Sequence, residues 1–185
     1  METRITRLQS LKVIIGLIII LTAGVVSAEQ SKINKEAVIK AQKTWGKALV
    51  NLGKTYTDGG DYQKVAKNLV NTLYAYRTGQ VLFKPTKASD VKFRTTKEGA
   101  LSYFVGHNKN FAEDKGFALT PWTNVRFQNA GIYINGNVAL AMGKYFFTPL
   151  KGEVVKVEYT FGYVKKDDGS LKIILHHSSL PYAGK

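Results

Sequence analysis

Residues 125–147 read VRFQNAGIYINGNVALAMGKYFF. Asn135-Gly136 stands between two strand-forming runs, and Asn-Gly is the strongest short hairpin signal because a type I′ turn needs positive φ at both central positions. Toward the C terminus, residues 153–166 read EVVKVEYTFGYVKK, which puts Val155, Val157, Tyr159, Phe161 and Tyr163 on one face of a strand. Asp167-Asp168-Gly169 then turns the chain into a last strand, from Leu171 to about Ser179. From Phe117 onward the apolar period is two.

Toward the N terminus the period changes. Asn34 can cap a helix with Glu36 in its first turn, and Val38, Ala41, Trp45, Ala48, Leu49 and Leu52 recur at helical spacing. Thr57 to Asp61, TDGGD, breaks that helix. Asp61 caps a second one, carrying Tyr62, Val65, Ala66, Leu69 and Leu73 on one face and ending near Gly79. A short strand follows, Val81 to Pro85. Thr95-Thr96-Lys97-Glu98 reads as a capping box opening a third helix through Ala100, Leu101, Phe104 and Val105. There is no internal repeat and no linker. Helices followed by an antiparallel meander give an α+β architecture, in which a curved sheet wraps the N-terminal helix and leaves one cone-shaped pocket.

The first 28 residues read as a secretory signal. Arg4, Arg7 and Lys12 precede the apolar run Val13 to Val26, and Val26-Ser27-Ala28 offers the small residues of a cleavage site. An uncleaved anchor is the alternative. Cleavage after Ala28 would leave residues 29–185, one domain of 157 residues, exported to the periplasm or another extracytoplasmic space and free of the membrane. The chain has no cysteine, so thiol nucleophiles, Cys-ligated zinc and disulfides are excluded. Its formal charge is +14, about +12 without the signal, and such a field attracts anions. The lysines are scattered and no nucleic-acid recognition motif is present, so no nucleic-acid partner is expected. A small anionic substrate or simple solubility fits the charge equally, and charge alone does not decide between them.

Residues 175–182, LHHSSLPY, raise the chemical question. Strict alternation puts Leu171, Ile173, Leu175, His177 and Ser179 on the core face, and Lys172, Ile174, His176 and Ser178 on the other. A bulge between Leu175 and Ser178 would swap these faces. A histidine and a serine at the end of a buried row are either a satisfied structural pair or a site. Three histidines exist, His107, His176 and His177, and neighbours on a strand point apart, so a three-histidine zinc site is excluded. No G-x-S-x-G elbow, HExxH spacing or Gly-rich phosphate loop occurs. A mixed metal site of His177 and carboxylates stays open, though no spacing supports it, and a metal-free site of hydroxyls and imidazole is the best chemical reading of the residues.

Six blocks carry a resemblance: GQVLFKPT (79–86), FRTTKEGALSYFVG (93–106), EDKGFALTPWTNVRF (113–127), ALAMGKYFF (139–147), KVEYTFGYVKKDDGSLKI (156–173) and HHSSLPY (176–182). In this order they resemble the iota-class carbonic anhydrases, which are similar in turn to the calcium/calmodulin-dependent kinase II association domain within the NTF2-like cone family. The resemblance implies reversible hydration of carbon dioxide to bicarbonate, export or organelle targeting, and a homo-oligomer, usually a dimer. Members of the class are described both as metal-free and as manganese- or zinc-using; the histidine count favours no metal here. Carried over residue by residue, the family's pocket threonine falls on Thr86, its tyrosine on Tyr103, and its histidine and serine on His177 and Ser179. Thr86, Tyr103 and Ser179 would hold water and bicarbonate oxygens, His177 would relay the proton, and Phe83 and Phe161 would wall the carbon dioxide. The competing expectations are a non-catalytic association module and an anion-binding protein. An NTF2-like isomerase or dehydratase would need an acid inside the cone, whereas Glu158 lies on the face opposite Tyr159.

Overall fold

The computed structural model describes residues 32–184, so the expected signal segment, residues 1–28, lies outside the described residues. Asn34 opens α1 (Lys35–Thr57), its side-chain oxygen accepting from the Ala37 amide at 2.8 Å, with Glu36 in the first turn. That satisfies one orphan N–H and complements the positive end of the helix dipole. Val38, Gln42, Trp45, Leu49 and Leu52 form the buried stripe of α1. Asp61 caps α2 (Tyr62–Leu73) in the same way, through the Lys64 amide. This helix stops well before Gly79. Tyr74 leaves helical geometry to bridge Ile173, and the Ala75 amide donates to the Ile173 carbonyl at 2.9 Å, so pairing with the sheet displaces a further helical turn. The third helix, α3 (Lys97–Val105), is capped by Thr96 rather than Thr95. Its Glu98 turns instead to the side chains of Asn108 and Asn110.

The sheet has five strands, β1 (Leu82–Lys84), β2 (Trp122–Asn135), β3 (Val138–Pro149), β4 (Val155–Lys165) and β5 (Leu171–Ser179), in the order β1-β5-β4-β3-β2. Only the short β1–β5 pair is parallel. The helices pack on this open, mainly antiparallel sheet, as the α+β reading expects. Its curvature has a local cause at Gly143, where β2 bulges between Asn129 and Gly131. A Cβ there would lie 2.1 Å from the Gln128 carbonyl oxygen, so only glycine admits the bend. Trp45 of α1 fills the hollow, edge-on to Phe161 at 5.7 Å and to Phe147 at 6.3 Å, amid a core dominated by aromatic rings.

A second bulge decides which residues face that hollow. Tyr163 pairs with Ile173 and Gly162 with Leu175, leaving Ile174 as the extra residue on β5. One extra residue sends every later side chain to the opposite face. His176 therefore sits opposite Phe161 and Ser178 opposite Tyr159, both on the inner face, 2% and 3% exposed. His177 pairs with Thr160 and Ser179 with Glu158 on the outer face. Strict alternation gave the reverse, and the expected inward placement of His177 and Ser179 is corrected here. Gly162 permits the bulge, because a Cβ at that position would come within 2.9 Å of the Leu175 Cβ.

Candidate active site

Six elements bring side chains to the inner end of β5. The Thr86 hydroxyl, just past β1, lies 3.0 Å from the Ser178 hydroxyl. Phe83 of β1 stacks on the His176 ring at 4.7 Å, and Phe161 of β4 meets that ring edge-on at 4.2 Å. Tyr103 of α3 packs against Phe83 at 5.7 Å and is 5% exposed. His176 is held at both nitrogens: the Tyr74 hydroxyl lies 2.9 Å from Nδ1 and the Tyr145 hydroxyl of β3 lies 3.4 Å from Nε2. Behind Tyr74, Trp45 Nε1 donates to the Tyr74 oxygen at 2.9 Å. The result is an apolar box of rings with hydroxyls and one imidazole as its polar content.

Burial sets the protonation states. It drives the His176 imidazole well below its ordinary 6.5, with the neighbouring His177 adding to the effect, so the ring is neutral at physiological pH. It also raises the phenols of Tyr74, Tyr103 and Tyr145 above their ordinary range. The Ser178 and Thr86 hydroxyls bear on Tyr145 and pull the other way, as the Lys87 and Thr86 backbone does on Tyr103. All three phenols stay protonated and can donate.

A polar clip holds the rim of this box. Arg94, 1% exposed, reaches Asp114 at 2.8 Å and Glu113 at 3.2 Å, and Ser102 of α3 donates to the same Asp114. Glu113 accepts from the amides of Ser89 at 2.6 Å and Val91 at 2.9 Å. Those hydrogen bonds, the Ser89 amide foremost, hold its carboxyl down to about 2. The clip ties the segment that follows Thr86 to the helix that carries Tyr103. Beside Tyr103 a cavity of about 220 Å³ opens, lined by Lys87, Lys115, Glu113, Asp114, Phe117 and Thr120.

Of the residues singled out in the sequence, the structure gathers Thr86, Tyr103, Phe83 and Phe161. It sets His177 and Ser179 apart, on an outer groove shared with Met142, Lys144, Glu158 and Thr160. The side chains that the sequence reading missed are His176, Ser178, Tyr145, Tyr74 and the indole nitrogen of Trp45. The signal for the first two was Gly162: an isolated glycine inside a strand pattern points to a bulge. Trp45, Tyr74 and Tyr145 gave none, since aromatic residues at apolar positions read as core. Among the described residues no group of three or more His, Cys, Asp or Glu side chains gathers to hold a metal ion.

Three comparisons bear on this geometry. A family model described as metal-independent carbonic anhydrase matches residues 36–180. A relative of that description from a Nostoc species is 48% identical over 153 residues, covering 81% of this chain and 75% of its own. The crystal structure of an iota-carbonic anhydrase from a cyanobacterium, complexed with bicarbonate, superposes with a TM-score of 0.80 at 46% identity, covering 83% of this chain and 95% of that one. A dehydratase of the NTF2-like family from Streptomyces avermitilis shares the fold alone, at 14% identity and a TM-score of 0.51, over 80% of this chain and 96% of its own.

Proposed function

Because the chain belongs to the metal-independent carbonic anhydrase family, its reaction is the reversible hydration of carbon dioxide to bicarbonate without a metal cofactor, and we propose that the pocket around His176 and Ser178 carries it out. The observation that carries this reading is the Thr86–Ser178 hydroxyl pair, 3.0 Å apart, set beside a neutral buried histidine inside a box of aromatic rings. The bicarbonate held by the solved relative supports an anion-binding pocket.

Water is a poor nucleophile, with a bulk pKa of about 15.7 that metals ordinarily lower. Here directed hydroxyls divide the task. On this reading carbon dioxide sits against the apolar rings of Phe83 and Phe161. Thr86 and Ser178 orient a water against its carbon. A hydroxyl accepts on oxygen while passing on its own hydrogen, so the water loses a proton through Thr86 or Ser178 as the new C–O bond forms, and that proton leaves to bulk solvent. Negative charge grows on the former carbon dioxide oxygens, where Tyr103 and Tyr145 donate. Donors fixed in a dry pocket stabilise such charge far better than water does. Lys87 and Lys115, at the opening beside Tyr103, favour the anionic product. His176 takes the place that the sequence reading gave to His177, holding Tyr145 rather than acting as a free base.

The test is hydration activity after exhaustive chelation, with elemental analysis to verify that metal is gone. Turnover well above the buffer rate is expected. Activity lost on chelation and restored by manganese or zinc would overturn the mechanism.

Export and assembly belong to the same reading. The basic, apolar and small-residue segments of residues 1–28 support removal after Ala28 and an extracytoplasmic site of action; the intact mass of the exported protein should lack them, and a full-length chain in the membrane fraction would contradict this. The outer sheet face exposes Tyr133, Leu140 and Met142 near Lys144 and Glu158, apolar area with both charge signs that suits a second copy. Light scattering should give a dimer; a monomer at micromolar concentration would refute it.

A further inference from the structure

Two fully buried residues lie behind the pocket. Trp45 is 1% exposed and Tyr74 1% exposed, yet both spend their polar atoms on a chain that ends at the pocket. Donor and acceptor roles fix the direction of that chain. An indole nitrogen only donates, so the hydrogen between Trp45 and Tyr74 belongs to Trp45, and the Tyr74 oxygen receives it. The Tyr74 hydroxyl hydrogen is then directed at its other partner, His176 Nδ1, 2.9 Å away. Nδ1 accepts, so a neutral ring carries its hydrogen on Nε2, the nitrogen facing the Tyr145 oxygen at 3.4 Å. The alternative tautomer would aim an Nδ1 hydrogen at an oxygen already receiving one, and would leave the Tyr74 hydrogen buried without an acceptor, an arrangement that costs the desolvation of that group. With its oxygen occupied, Tyr145 has its own hydrogen left for the pocket side, where Ser178 and Thr86 bear on it.

We propose that Trp45 and Tyr74 are positioning residues that set the direction of the chain Trp45–Tyr74–His176–Tyr145, locking His176 as its Nε2–H tautomer so that Tyr145 presents a hydrogen to the substrate. The tautomer stands on the hydrogen-bond geometry alone; what the Tyr145 hydrogen does rests on the carbonic anhydrase reading. On that reading Tyr145 stabilises the growing oxyanion, and His176 keeps the same proton throughout the cycle. The chain ends in a donor because it begins with a group that cannot accept.

Histidine-labelled protein tests this with little ambiguity, since His107, His176 and His177 are the three histidines in the sequence. Long-range proton–nitrogen correlation on the wild type should show His176 with a bare Nδ1 and a protonated Nε2 across the neutral range. A protonated Nδ1 in the wild type would overturn the proposal without any variant. Tyr74→Phe, which removes one oxygen from a buried ring, should shift His176 toward the Nδ1–H form and lower kcat ten- to a hundredfold with KM little changed, the size expected when a remote group misplaces a reacting one. An unaltered tautomer in a folded Tyr74→Phe variant would also overturn it. Ser178→Ala is the control: it should abolish most turnover and leave the tautomer in place. A wild type inactive in hydration yet holding the Nε2–H form would sink the catalytic reading and leave the locked chain standing.

Discussion

The two faces of β5 end in the same chemistry, a histidine and a serine each. On the inner face His176 and Ser178 are 2% and 3% exposed, and the ring is gripped at both nitrogens between Tyr74 and Tyr145. On the outer face His177 is exposed and Ser179 half-buried, beside Glu158 and Lys144. Composition cannot separate these pairs, and neither can sequence spacing. What separates them is dielectric and direction: inside, His176 is held at both ring nitrogens away from water, whereas outside, water competes for each polar hydrogen. Preorganisation, rather than the presence of a particular side chain, distinguishes a site from a surface.

The comparison breaks most readily at the serines. Ser178→Ala should lower the hydration rate by about 10²–10³, the usual cost of one preorganised donor, and Thr86→Ala should match it. Ser179→Ala, next in the chain, should turn over at close to the wild-type rate. Stopped-flow hydration on the folded variants reads all three. Equal losses at Ser178 and Ser179, or a loss at Ser179 alone, would reverse the assignment of the faces.

A smaller effect concerns the histidines and pH. Burial holds the His176 pKa well below 6.5 in the folded chain, whereas the unfolded ring titrates near that ordinary value. Below it the unfolded chain binds a proton that the folded chain refuses. The stability tied to the neutral ring is therefore fully present above about 6.5 and is lost as pH falls toward the folded value. Thermal midpoints should decline through this window, and His176→Gln should flatten the decline. His177 is also shifted down, by partial burial and by Lys84, but stands largely in solvent, so His177→Gln should alter the slope much less. The smallest effect expected is His177→Ala on hydration, a rate near that of the wild type.

The helices and hairpins were legible because their signals are local. Asn34 and Asp61 cap where their side chains reach an amide three residues on. The hairpin forms one residue later than Asn135-Gly136 suggests, since Asn135 ends β2 paired with Val138 and the turn is Gly136-Asn137, with positive φ at Gly136 and not at either asparagine. The stop at Tyr74 was illegible because its cause is a distant strand, through the Tyr74–Ile173 bridge. Thr86 and Tyr103 came from family resemblance rather than from periodicity. The faces of β5 turned on one residue, Ile174, and alternation carries no information across a bulge; Gly162, on the partner strand, held the clue. Trp45, Tyr74 and Tyr145 could not be told from core, because a buried aromatic ring and a buried hydrogen-bonding aromatic ring follow the same apolar pattern.

A crystal structure of the protein soaked in bicarbonate tests the central claim most directly. The account predicts the anion on the inner face, its oxygens within hydrogen-bond reach of the Thr86 and Ser178 hydroxyls and of the Tyr103 or Tyr145 phenols, with its carbon against Phe83 and Phe161. An anion seated instead in the outer groove, on His177, Ser179 and Lys144, with the inner pocket holding none, would contradict it.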